Sequence, residues 1–412
     1  MALTRHKQIK RQFIMKKRFS ILVLISAMLI SALIAVLITF GATYNFVRGQ
    51  DEYEGNIENM EMLKALDHAY RQYYYGELDD KALEEALIAG YIYGTGDRYG
   101  EYMDAQRVES FTADNNGESV GIGVSVIYND EYRMLEVVNV VPHSPAEEAD
   151  VRIGDLISVI GGEDASKMTY TEALDAMAGK ADTIAEFSVL RGDQTLDFSI
   201  SRRKVTQQNA KGRMHADGVT GVIRLEEFDI NTPSQFKSEI ARLQKEGATR
   251  FVFDVRNNPG GDLESVVDIL DFLLPEGPII RICAKDGTEQ QRTSDAECFK
   301  APMAVLINEN TASAAELFAS ALSDYELATL VGKTSYGKGS MQTILPLING
   351  SALRITYRMY KPPFSDNYDG VGIKPHIDID MAEDVRDISL YKLTDDNDTQ
   401  LIAAVQNFEN DN

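Results

Sequence analysis

The sequence predicts a multidomain α/β protein with a single transmembrane helix, a helical N-terminal segment, a small mixed β/α unit and a larger core on a mostly parallel sheet. Three observations predict it. Residues 19–41 are apolar and carry no charge. A helical apolar period dominates up to about residue 112 and then gives way to short strands. From about residue 205, apolar strands alternate with amphipathic helices, which is the pattern of a parallel sheet covered by helices. A chain of 412 residues is long enough for two or three domains.

The first 18 residues hold seven Lys or Arg and no Asp or Glu, so a net charge of −23 leaves −30 on the remainder. Such a surface repels nucleic acid and favours solubility. Phe19 to Gly41, "FSILVLISAMLISALIAVLITFG", meets the roughly 20 apolar residues that a bilayer core requires. No convincing small-residue cleavage site follows it, so an uncleaved signal anchor is expected. The basic end then stays in the cytoplasm, and everything after about Tyr44 lies outside, on a single-pass protein of the cell membrane.

Residues 42–112 read as a helical segment. In "NIENMEMLKALDHAYRQYYYG", Met60, Leu63, Leu66, Tyr70 and Tyr73 recur at helical spacing. "LDDKALEEALIAGYIYG" opens on an Asp cap and sets Leu83, Ala86, Leu87 and Tyr91 on one face. Such faces suit packing against the rest of the chain or against a second copy.

Residues 113–204 form the small mixed unit. "VGIGVSVI", "LEVVNVV", "DLISVIGG", "AEFSVLRG" and "TLDFSIS" read as strands, with "SPAEEADV" and "TYTEALDAMAG" as helices between them. Residues 205–382 form the larger core. "GVTGVIRLEEF" is a strand, and "SQFKSEIARLQKEG" an amphipathic helix stopped by Gly247. "TRFVFDV" lacks alternation and so should be buried on both faces. "LESVVDILDFLL" and "SAAELFASALSDY" are helices, "MAVLIN" and "LATLVG" strands. The acidic tail, 383–412, ends in a short helix, "TQLIAAVQNF".

There are two cysteines, Cys283 and Cys298. Outside the cytoplasm they could pair across the turn at Asp286–Gly287, and closing that loop would contribute roughly 3 kcal/mol. Two unrelated thiols are an equally open reading. No Cys/His cluster has metal spacing, so neither metal nor cofactor is expected. "GKTS" at Lys333 lacks the glycine that a phosphate loop needs at position 327, where Leu327 stands, and nucleotide binding is excluded.

The stretch "NENTASAAELFA" sets Ser313 at a helix start. A serine hydroxyl is a poor nucleophile without a base. Of the five histidines, His6 falls on the cytoplasmic side, His68 and His143 in the helical and small mixed regions, and His215 and His376 at the edges of the larger core with no acid obviously placed to orient them. A lysine can serve instead. Its free pKa is about 10.4, desolvation lowers it, and a value near 7–8 makes a competent general base. Lys338 in "SYGKGSMQTILPL" lies between two glycines, and Gln342 could accept a hydrogen bond from its amine. The N–H of Ala314 and those of Gly260 and Gly261 in "RNNPGGDLES" could face an oxyanion. All three stretches follow parallel strands, which puts a site at the carboxyl ends of the sheet.

"RNNPGGDLE", "NENTASAAELFA" and "SYGKGSMQT" together resemble the carboxyl-terminal processing peptidases, a serine–lysine protease family. The small mixed unit resembles a PDZ domain, and "YYYGELDDKALEEALIAGYIYGTGDRYGEYMD" resembles the helical segment that precedes it in that family. The resemblance covers nearly all of the chain after the apolar run. It implies a crotonase-like α/β protease core with no cofactor. It implies Ser313 as nucleophile, Lys338 as its base, Gln342 as the residue that orients the lysine, and Ala314 with Gly260 as oxyanion donors, Gly261 being the alternative.

PDZ domains capture a free C-terminal carboxylate on backbone N–H groups and add the peptide as a strand. "SVGIGV" supplies that loop through Val120, Gly121, Ile122, Gly123 and Val124, and Val151, Ile153 and Leu156 could line the apolar side-chain pocket or simply pack the core. Arg191 matches a position at which relatives can couple the PDZ to the protease site, an ordinary turn arginine being equally open. Relatives often dimerise through their N-terminal and C-terminal parts, so a homodimer is expected. The function implied is a membrane-anchored, extracytoplasmic serine endopeptidase acting on proteins or peptides with apolar C-termini. The alternative is a PDZ binding module with an inert protease-like body, which would have no reason to keep Ser313, Lys338 and Gln342 together.

Overall fold

The computed structural model describes residues 58–115, 118–347 and 350–410. The chain divides into two compact units, 1–85 and 86–412. In the first, α1 (Glu58–Tyr73) leads to the start of α2 (Asp80–Thr95). Asp79 caps α2 by accepting the N–H groups of Lys81 and Ala82, as its sequence suggested. Met60, Leu66 and Tyr73 on the expected apolar face of α1 stand exposed.

The second unit continues through β1 (Glu101–Met103) and α3 (Ala105–Asn115). A six-stranded sheet follows: β3 (Val124–Asn129), β4 (Met134–Val140), β5 (Leu156–Ile160), β6 (Glu163–Asp164), β7 (Ile184–Arg191) and β8 (Gln194–Ser201). Its partners are β2 (Glu118–Gly121), α4 (Pro145–Glu148), α5 (Tyr170–Met177) and β9 (Arg203–Thr206). "VGIGVSVI" is therefore not one strand. The chain bends at Ile122–Gly123, β2 pairs with β9, and β3 pairs with β4 as the free edge of the larger sheet. Gly123 has φ +87, and a Cβ there would fall 2.2 Å from Ser144 Cβ, so only glycine permits the bend.

The larger core begins with β10 (Ala210–Met214), β11 (Thr220–Leu225), α6 (Thr232–Glu246), β12 (Arg250–Asp254) and α7 (Leu263–Leu273). It continues through β13 (Gly277–Ala284), β14 (Glu289–Ser294), β15 (Met303–Ile307), α8 (Ala314–Asp324) and β16 (Ala328–Gly332). It closes with β17 (Ser340–Pro346), β18 (Ala352–Lys361), β19 (Ile377–Asp378) and α9 (Thr399–Asn410). The central sheet runs β10-β11-β12-β15-β16-β19, parallel except at β10. Phe251 and Phe253 pack under α6, α7 and α8, while Val252, Ala304 and Val331 on the other face pack against Leu401, Ala404 and Phe408 of α9. The strands without alternation are thus covered on both sides. A second sheet orders β1-β18-β13-β14, with β17 also on β18.

One expectation needs correction, and one open alternative, at the cysteines, is decided. The fold class included a transmembrane helix, but among the described residues no helix is long and apolar enough to cross a membrane, and the fold is a mixed α/β one. The span expected at 19–41 lies outside the described residues. Cys283 and Cys298 are free thiols rather than a disulfide. The hairpin at Asp286–Gly287 exists, but its register sets Glu289 opposite Cys283 and carries the chain onward along β14, away from Cys283, before Cys298 is reached.

Candidate active site

The loops after β12, β15 and β16 meet at the carboxyl ends of these parallel strands. Ser313 sits between β15 and α8 with φ 55 and ψ −119. That backbone conformation is costly for a residue with a Cβ, of order 1–3 kcal/mol, and survives only where the surroundings over-determine it. Here they do. Ala312 N–H donates to Asn258 O at 3.0 Å, and Ser313 N–H donates to Glu316 Oε2 at 2.9 Å. A Cβ on Gly260 would lie 2.7 Å from Ser313 Cβ, so the glycine loop closes directly on the serine.

Glu316 stands three residues after Ser313, and the Ser-x-x-Glu spacing is a capping-box signal in the sequence. The structure gives it a larger role. Its fully buried carboxylate takes Ser335 Oγ–H at 2.6 Å and Gly337 N–H at 2.7 Å on one oxygen, and Ser313 N–H and Lys338 N–H, at 2.8 Å, on the other. One side chain therefore fastens the serine loop to the lysine loop. Burial pushes the carboxyl up, and these four donors pull it back.

Ser313, Ala314, Gly261, Lys338, Gln342 and Tyr360 line one cavity of about 470 Å³, with Leu263, Met341 and Ile344 as apolar wall and no histidine. His215 lies instead against Asp217 and Asp395, and His376 accepts Leu330 N–H. Burial pushes the Lys338 amine below its usual range, and the Arg354 charge adds to the effect; Glu316 and Asp369 act against it. The ammonium end stands 4.9 Å from the Tyr99 ring centroid, and no hydrogen bond joins it to Ser313 Oγ or to Gln342. Gln342 instead donates to Ser340 Oγ and Thr356 Oγ1, both at 3.2 Å. Catalytic contacts in a site without substrate are often loose and tighten on binding. Tyr360 donates to Lys338 O at 2.7 Å and accepts the Tyr368 hydroxyl proton at 3.0 Å.

The two glycines differ in what their N–H groups do. Gly260 is buried and donates to Asn258 Oδ1 at 2.8 Å, so its N–H is already spent. Gly261 is exposed, lines the cavity and has no acceptor for its N–H among the described residues, and the same holds for the N–H of Ala314. Behind the loop, Arg256 is buried between Asp254 and Asp398, with hydrogen bonds of 2.7–3.0 Å to both and to Gln400. Another cavity, about 730 Å³, lies away from Ser313, and two of its cations, Arg256 and Lys333, are paired with carboxylates.

Comparison with known proteins agrees with this geometry. The profile of peptidase family S41 matches residues 219–379, and that of the PDZ domain matches residues 136–191. A carboxy-terminal-processing protease of Bartonella bacilliformis is 34% identical over 74% of this chain and 71% of its own length. A probable CtpA-like serine protease of Staphylococcus aureus is 30% identical over 88% and 72%. The chain belongs to the carboxyl-terminal processing peptidases of family S41. It is a serine-type endopeptidase that carries a PDZ domain. A solved S41 protease of Bacteroides fragilis, described as putative, shares the fold at 18% identity, with a TM-score of 0.54 over 83% of this chain and 94% of that one.

In this peptidase the expected PDZ residues separate into two groups. Ile122 and Val151 are buried in the PDZ core, Val124 packs against that core, and Leu156 is half-buried in β5. Val120 and Ile153 are exposed, Ile153 at 68%. The N–H groups of Ile122 and Gly123 have no acceptor among the described residues, and they immediately precede the free edge of β3. Arg191 does not reach the protease cavity. Its guanidinium is held by Asp155 at 2.7 Å and by Asp150, so it ties the end of β7 to the loop before β5.

Proposed function

We propose that this peptidase cleaves with a Ser–Lys mechanism and selects substrates by an apolar C-terminal tail. The observation that supports it best is the one cavity shared by Ser313 and a half-buried Lys338, whose loops hang on the same carboxylate. Burial lowers the cost of a neutral amine there. Lys338 takes the Ser313 proton once substrate closes the gap between them. The hydroxyl oxygen attacks the scissile carbonyl, an acyl-enzyme forms, and water releases it. The free N–H groups of Ala314 and Gly261 stabilise the oxyanion, in place of the Gly260 expected from the sequence. Gln342 offers its amide oxygen to the lysine.

The PDZ domain takes the tail. The unspent N–H groups of Ile122 and Gly123 hold the carboxylate, and the peptide extends the sheet at β3. A catalytic part outside the cytoplasm rests on the charge pattern of residues 1–41 alone. The test is cleavage of an unstructured peptide with an apolar C-terminus by the wild-type protein and by Ser313→Ala. The reading requires that the variant lose activity. Equal cleavage by both proteins would remove the serine from the mechanism and favour a PDZ module with an inert body.

A further inference from the structure

Gln342 on β17 lies opposite Thr356 on β18, and the direction of every proton between them is fixed by a third residue. Asp97, in the short loop between α2 and β1, accepts Thr356 N–H on one oxygen and the Thr356 hydroxyl on the other, both at 2.8 Å. It also accepts Tyr99 N–H at 3.1 Å. Burial pushes the Asp97 carboxyl up, but these donors outweigh it and hold the group below the usual carboxylate range. An ionised carboxylate has no proton to return. The Thr356 hydroxyl is therefore committed to Asp97, and its oxygen can act only as an acceptor. It accepts from Gln342 Nε2 at 3.2 Å, and the second amide proton goes to Ser340 Oγ. With both amide protons spent, Gln342 Oε1 is the end left open in the cavity that holds Lys338.

We propose that Asp97 and Thr356 are positioning residues that fix the Gln342 amide so that its oxygen, and not its nitrogen, is offered to the Lys338 amine. The proposal rests on Lys338 being the base. The chemistry requires this sense of the amide. An N–H aimed at the amine would occupy the lone pair that must take the Ser313 proton, whereas a carbonyl accepts an amine proton and leaves the lone pair free. The same loop supplies Tyr99, whose ring stands 4.9 Å from the Lys338 amine and whose hydroxyl is buried with no partner among the described residues. A segment far from the serine in sequence thus completes the active site.

The test is steady-state cleavage of a fluorogenic peptide by Thr356→Val, Thr356→Ser, Gln342→Ala and the Thr356→Val/Gln342→Ala double variant, with Ser313→Ala as reference and Tm measured for each. Thr356→Ala replaces the valine variant if that one unfolds. The expected result is a kcat lower by about tenfold or more in Thr356→Val at unchanged KM. Thr356→Ser stays near wild type, and the double variant is no slower than Gln342→Ala alone, because both changes break one chain. Wild-type kcat in Thr356→Val, or a double variant slower by the full factor of each single change, would overturn the relay. Activity in Ser313→Ala would instead overturn the serine reading, and the relay with it.

Discussion

Ser313 and Lys338 share one anchor: Glu316 Oε2 accepts the serine N–H at 2.9 Å and the lysine N–H at 2.8 Å. The other oxygen is equally occupied, by Ser335 and Gly337. Glu316→Gln exchanges one acceptor oxygen for an NH2 that faces donors. At least one buried N–H is then unpaired, at a cost of about 1–3 kcal/mol. A lower Tm together with a lower kcat is expected from thermal unfolding and peptide cleavage. A variant that matches wild type in both would show that the carboxylate does not set the distance between the loops.

The pH dependence of activity has a definite sign. If Lys338 is the general base it acts only when neutral, and kcat/KM should rise with pH through its folded pKa, which burial and Arg354 hold below the free value. Arg354→Gln removes a positive neighbour and makes the ammonium easier to keep. The rising limb of the profile should therefore move to higher pH. Movement to lower pH would contradict the electrostatic account of the amine.

Behind the site, Arg256→Met leaves Asp254 and Asp398 buried without their cation, and a loss of about 3–5 kcal/mol is expected in urea unfolding. Burial alone pushes the Asp254 carboxyl up, but the Arg256 charge and hydrogen bonds hold it below its unfolded 3.8. That stabilisation is present above the unfolded pKa and is lost as pH falls through the folded one. The Met variant lacks that acid-labile share, so its deficit against wild type should shrink as pH falls and its acid limb should be shallower. An unchanged limb would mean that the pair does not hold the loop after β12.

Tail recognition can be tested from the ligand side. If the N–H groups of Ile122 and Gly123 bind a carboxylate, amidating the C-terminus of an apolar peptide removes a charge-assisted contact worth about 1.5–3 kcal/mol. Fluorescence anisotropy should show affinity lower by about tenfold or more for the amidated peptide. Equal affinity would place recognition elsewhere.

Much of the core was legible because its strands are long apolar runs and its helices are strongly amphipathic, as in "TRFVFDV" and "LESVVDILDFLL". Ser313 and Lys338 stand out because each breaks a local rule, a small-residue helix start and a lysine between glycines. The split of "VGIGVSVI" into β2 and β3 was not visible, since it depends on Ser144 packing against Gly123. Nor could the sequence say which glycine keeps a free N–H, because Asn258 decides that by accepting from Gly260. Asp97 and Thr356 meet only when β1 pairs with β18, and Arg191 is claimed by carboxylates that folding brings to it.

The central claim is that a neutral Lys338 activates Ser313, and the most direct measurement is the rate at which a serine-directed phosphonate labels the protein across pH, read by mass spectrometry. An adduct is expected on Ser313, and its formation should rise with pH along a single limb below the free lysine pKa of about 10.4. Lys338→Ala and Lys338→Arg should abolish the adduct, since a guanidinium stays charged. Labelling of Ser313 at the wild-type rate in Lys338→Ala would contradict that claim.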